Sequence, residues 1–134
     1  MAERHESGVL DTCVYIDLDL LEPDALPVVP EITAITMAEL HQGLAMAKSA
    51  AIRAARTEKL GAAIVDFAPL PFDGAAAARY GTLVALALEA NRDPRPCRMD
   101  LMIAAIASSR DLPLYTRNKD DFRGLADIVE VIAV

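Results

Sequence analysis

Acidic residues recur in this chain where a short apolar run gives way to a turn or meets a helix start. Asp11 follows Val9-Leu10, Glu39 closes Thr36-Met37-Ala38-Glu39, Asp100 precedes Leu101-Met102-Ile103-Ala104-Ala105-Ile106, and Asp120-Asp121 follow Leu114-Tyr115-Thr116. Convergent carboxylates repel one another unless a cation neutralises them, and hard oxygen donors with open coordination positions suit Mg²⁺ or Mn²⁺. Each position also has a plainer reading. Thr36 to Glu39 has the form of a capping box with Thr36 as N-cap, and Asp100 near a helix start gains from the macrodipole. Asp11 ends a strand, and Asn118 to Asp121 reads as a turn. Cys13 and Cys97 match no zinc spacing, which leaves two buried free thiols.

The elements decide between these readings, because metal chemistry requires the acids at one place. Gly8 to Asp11 is predicted as a first strand and Glu31 to Ile35, rich in β-branched residues, as a second. Helical spacing runs from Met37 to Ala47 and again from Ile52 to Ile64, giving a helical hairpin. Phe67 to Phe72 carries Pro69 and Pro71 and is restricted to an edge strand or an extended segment. Gly74 to Ala90 is a long Ala/Leu helix, Asn91 to Pro96 a breaker loop, and Met99 to Ser109 a helix apolar almost all round. Leu112 to Thr116 and Ile128 to Val134 supply the last strands. This alternation specifies an α/β fold, a three-layer α/β/α sandwich on a mostly parallel sheet. Ligands in such sheets sit outside the carboxyl ends of the strands, the edge to which all the acids map.

Composition bounds the rest. The 134 residues suit one domain, with residues 1–7 read as a tail and 8–134 as the folded unit. Hydrophobic content of 54% with 25% charged residues excludes a disordered chain, and apolar runs such as Leu83 to Leu88 are too short to span a bilayer. With no apolar leader in Met1 to Gly8, the expected compartment is the cytoplasm. A net charge of −7 opposes long-range attraction to nucleic acid, unless bound cations invert the potential around the acids.

Four blocks, in order, resemble the signature blocks of PIN domains of the VapC toxin family: Leu10 to Ile16, Thr36 to Gly43, Asp100 to Ala107 and Thr116 to Phe122. The likeness spans roughly residues 8 to 134, and Leu70-Pro71-Phe72-Asp73 resembles the family's middle region. It implies a metal-dependent endoribonuclease, the toxin of a type II toxin-antitoxin pair. Asp11 and Asp100 would hold Mg²⁺, or Mn²⁺ in its place, with Glu39 and Asp121 completing the site and Asp120 as the substitute for Asp121. Thr12 and Asn118 would orient the acids. Two departures stand out: Cys13 occupies a position where the family usually has Asn or Ser, and Asn118 stands at one of the two places where its last acid occurs.

The residue inventory agrees with metal chemistry, because a metal-free ribonuclease needs a general acid and base, and the only histidines are His5, near a fraying terminus, and His41 on a helix surface. Arg95 and Arg98 before Asp100, with Arg117, Lys119 and Arg123 around Asp121, are candidates for phosphate contacts. Tyr15 and Tyr115 read as core residues. The resemblance further implies a VapB-type antitoxin, an RNA substrate and a homodimer, for which Leu83, Leu86 and Leu88 offer apolar helix surface. Two competing classes are an inactive PIN-like protein-binding scaffold and an Asp-dependent phosphatase; the second needs an Asp where Cys13 stands.

Overall fold

Val9 and Leu114 point to one side of the sheet and Leu10 and Tyr115 to the other, as the two-residue period of a strand requires, and each pair seeds its own core. In the computed structural model, which describes residues 4–134, β1 (Ser7–Leu10) pairs in parallel with β2 (Val29–Glu31) and with β3 (Leu114–Thr116). β4 (Val131–Ala133) adds parallel to β3, giving the order β2-β1-β3-β4. The sheet is therefore wholly parallel, with helices on both faces.

On the Val9 face lie α4 (Gly74–Glu89) and α5 (Arg98–Ser109), contributing Leu83, Leu101, Ile103, Ala104, Ala105 and Ala107, all fully or almost fully buried. The small alanines allow α4 and α5 to pack closely, and burial all round accounts for the lack of a polar face on α5. On the Leu10 face, α1 (Thr12–Ile16), α2 (Ala34–Ala45) and α3 (Ala50–Asp66) bury Val14, Tyr15, Leu40, Leu60 and Ala63 with Ile32 and Tyr115. Both tyrosines are core residues, as expected. Segment 67–72 is extended and touches the sheet by a single parallel bridge, Thr33 to Leu70.

Several boundaries move. The second strand is Val29–Glu31, earlier than expected, and α2 starts at Ala34, so its N-cap is Thr33, whose hydroxyl accepts from the Thr36 amide at 3.2 Å. Thr36 is thus inside the helix and Glu39 in its second turn, which removes the capping-box reading of Glu39. The turn after Asp11 is the short helix α1. Residues 4–7 are folded: Arg4 donates to the Leu26 and Pro23 carbonyls, Ser7 opens β1, and His5 packs edge-on to Tyr115 and lies 3.4 Å from Glu130. Leu83 is core, leaving Leu88 as the exposed leucine of α4. Both cysteines are free and only partly buried. Among the described residues, no helix is long and apolar enough to cross a membrane.

Candidate active site

The strand order reverses between β1 and β3, since the chain moves from β1 to β2 on one side and returns to β3 on the other. Open parallel sheets leave a crevice at such a point, outside the strands' carboxyl ends. Here those ends are Leu10 and Thr116, and the crevice is a cleft of ≈ 350 Å³ lined by Asp11, Thr12, Cys13, Ile16, Glu39, Asp100, Asn118 and Asp121.

Asp11 is held on every side. It is 5% exposed and caps α1, with Oδ1 accepting from the Thr12 amide at 2.8 Å. Oδ2 accepts from the Thr116 hydroxyl at 2.9 Å and from the Cys13 thiol at 3.4 Å. Thr116, fully buried at the end of β3, also accepts the Asn118 amide at 3.1 Å. Cys13 thus takes up a position beside Asp11 as a weak donor, and burial pushes its thiol pKa up.

Thr12 links two acids: its amide holds Asp11 and its hydroxyl donates to Glu39 Oε1 at 2.7 Å, while lying 2.9 Å from the Thr36 hydroxyl. Burial raises the Glu39 pKa, the Thr12 hydroxyl pulls it down, and the charge of Asp11 adds to the rise. Asp121 enters from the turn at Lys119–Phe122 and accepts from Asn118 Nδ2 at 2.9 Å. Asp120 is exposed and lines a separate hollow with Lys119 and Glu130, so of the two adjacent acids it is Asp121 that shares the cleft with Asp11 and Asp100.

Asp100 reports the electrostatics of the cleft. Its pKa is pushed up to about 7, first by burial and then by Asp11, Asp121 and Glu39, with Arg92 opposing. A place in the first turn of α5 would favour the anion. Desolvation and like charges outweigh that dipole. This is the electrostatic condition that a cation relieves. Among the described residues, no three Asp, Glu, His or Cys side chains are already disposed to hold one ion between them. A donor set of one or two carboxylates completed by waters is nonetheless the usual one for Mg²⁺, so Asp11 and Asp100 with flanking acids fit it.

The basic residues expected around the acids lie elsewhere. Arg95 is bound to Asp93 in its own loop, Arg117 to Asp17, and Lys119 lines the hollow beyond Asp120; none of them, nor the exposed Arg98, lines the cleft. Arg92 was not singled out from sequence, yet its guanidinium donates to the carbonyls of Asp121 at 2.7 Å and Arg123 at 3.1 Å, fixing the turn that presents Asp121. Thr116 was also missed. Its only sequence signal was a hydroxyl at the last position of a strand.

A wholly parallel four-stranded sheet with acids gathered at its switch point defines a PIN-like α/β domain. No protein-family model matches the chain. The chain is 37% identical to Ribonuclease VapC5 of Mycobacterium tuberculosis over 139 residues, covering 100% of both sequences. Its structure aligns with the crystal structure of VapBC-5, a member of the VapBC family of toxin-antitoxin systems from Mycobacterium tuberculosis, at TM-score 0.85 and 38% identity, over 96% of this chain and 99% of that one. With FitAcB from Neisseria gonorrhoeae the TM-score is 0.71 at 29% identity, over 92% and 95% of the two chains. The chain belongs to the VapC family.

Proposed function

We propose that this chain is a Mg²⁺-dependent endoribonuclease, with Mn²⁺ as a possible replacement ion, and the toxin of a type II toxin-antitoxin pair. The observation that carries this reading is the gathering of Asp11, Glu39, Asp100 and Asp121 in one cleft, where burial and then the charges of the other three acids raise the Asp100 pKa to about 7. Family membership supplies the substrate class, through a full-length relative named as a ribonuclease.

Asp11 and Asp100 would hold the ion, with Glu39 and Asp121 beside it; when bound, it supplies a water of lowered pKa and neutralises charge on the phosphate. Thr116, Thr12 and Cys13 keep Asp11 fixed, so its oxygens need no reordering when they take up a ligand. Thr12 sets the distance of Glu39 from Asp11, and Asn118 aims Asp121. Attack by water in line with the ribose 3′-oxygen leaves a 5′-phosphate and a 3′-hydroxyl.

The partner is a VapB-type antitoxin, the working compartment the cytoplasm and the toxin a homodimer. The partner assignment is supported by a neighbour that is a VapBC toxin-antitoxin structure. A cation from the antitoxin would compete with Mg²⁺ for the carboxylates.

The test is incubation of the purified chain with total RNA in Mg²⁺, in EDTA, and with Asp11→Asn in Mg²⁺. Cleavage confined to the first condition supports the reading. Binding of the antitoxin with no cleavage in any condition would mark an inactive scaffold, and release of phosphate from monoesters with RNA intact would mark a phosphatase.

A further inference from the structure

Two hollows adjoin the acid cleft through shared walls. One, of about 400 Å³, is lined by Ile16, Glu39, Leu40, Gly43, Ala55, Arg56 and Lys59. The next, of about 510 Å³, shares Glu39, Gly43 and Arg56 and reaches Met46, Lys48 and Ile52 near the tip of the α2–α3 hairpin. Ile16 and Glu39 also line the cleft itself, so the two hollows form a groove that meets the cleft at Glu39.

Its charge is opposite to that of the whole molecule. Lys48, Arg56 and Lys59 line it, and its one acid, Glu39, is bonded to Thr12 at the cleft end. Among the described residues none of these three cations has an acidic partner, whereas Arg95, Arg110 and Arg117 all do. Two are held in place by uncharged groups. Arg56 donates to the Gly43 carbonyl at 2.5 Å, and the Lys59 ammonium sits 4.6 Å from the centre of the Tyr15 ring. Such contacts order the side chains without neutralising them, which lowers the cost of binding an anion. Residues 56 and 59 are three apart on α3 and therefore share a face. The exposed apolar side chains of Ile16, Met46 and Ile52 complete the walls and would meet bases and not phosphates.

We propose that this groove is the track along which single-stranded RNA enters the acid cleft, with Arg56 and Lys59 holding phosphates on one side of the scissile bond. The assignment rests on the ribonuclease reading and names how that site takes its substrate. A partner's peptide is the other occupant to test, but a polyanionic backbone complements two unneutralised cations on one helix face better than an apolar helix does.

The experiment compares wild type, Arg56→Gln/Lys59→Gln, the charge-keeping Arg56→Lys/Lys59→Arg, and Arg110→Gln as a control outside the groove. Cleavage of an oligouridylate gives KM and kcat, and anisotropy of the labelled oligomer gives affinity in an Asp11→Asn background. The neutral pair is expected to raise KM and weaken binding tenfold or more with kcat within about threefold. It should also flatten the salt dependence by roughly 1.4, because each single-strand phosphate contact contributes about 0.7. The charge-keeping pair should recover most of the loss. Unchanged KM and affinity in the neutral pair overturn the proposal, as does loss of antitoxin binding alone, which would make the groove a protein site. If wild type binds RNA through the groove without cleaving it, the nuclease reading fails and the track stands. If wild type does neither, both fail.

Discussion

Asp120 and Asp121 are neighbours in sequence and face different hollows, one shared with Lys119 and Glu130, the other with Asp11 and Asp100. Asp121→Asn is therefore expected to lower kcat at least tenfold, while Asp120→Asn stays within about twofold, in a cleavage assay at saturating Mg²⁺. Asp100 carries a pH signature. Its folded pKa of about 7 exceeds the ordinary carboxylate value of 3.8, so the metal-free folded state binds more protons than the unfolded state. Stability then falls as pH rises. The penalty is absent below about 3.8, grows through the interval and is complete above about 7. Urea denaturation in EDTA across that range should show the decline in wild type and a smaller one in Asp100→Asn. A stability that rises from pH 5 to 7 by the same amount in both proteins would contradict this account of the site.

At the level of elements, the sequence was informative where one local cue sufficed. The apolar run after Asp100 specified a helix buried on all sides, and α5 is that helix. Prolines confined segment 67–72 to an edge, where it makes one bridge. What stayed hidden depended on neighbours distant in the chain. The start of α2 moved because Thr33, expected within the second strand, lies past the end of β2, bridges to Leu70 and caps the helix by accepting from the Thr36 amide. Thr116 bonds Asp11 only because β3 lies next to β1, and Arg92 reaches the Asp121 turn across the molecule. Arg95 and Arg117, adjacent to the acids in sequence, are instead taken by Asp93 and Asp17. The β1–β3 junction also makes its own demand: a methyl at Gly8 would run into the Tyr115 ring. Gly8→Ala should cost about 1–3 kcal/mol, read as a lower urea midpoint at unchanged slope.

At the scale of the whole molecule, a chain of net charge −7 binds a polyanion only if its field is locally inverted; the cations of the α2–α3 groove supply part of that inversion, and the proposed ion in the acidic cleft would supply the rest. Folding alone assembles the carboxylates, so the proposed Mg²⁺ would bind the native state preferentially. At a hundred times its Kd the ion should add about 2.7 kcal/mol of stability, seen as a higher Tm reversed by EDTA, and Asp100→Asn should shrink the increment. The most direct test of the central claim is the chemistry of the product ends. A defined single-stranded RNA cleaved by wild type in Mg²⁺, with Asp100→Asn as the control, should yield 5′-phosphate and 3′-hydroxyl termini that the variant does not produce. Termini bearing a 2′,3′-cyclic phosphate, or cleavage undiminished in Asp100→Asn, would show that the ribose 2′-hydroxyl attacks or that the reaction occurs away from the acidic cleft, and would contradict the account.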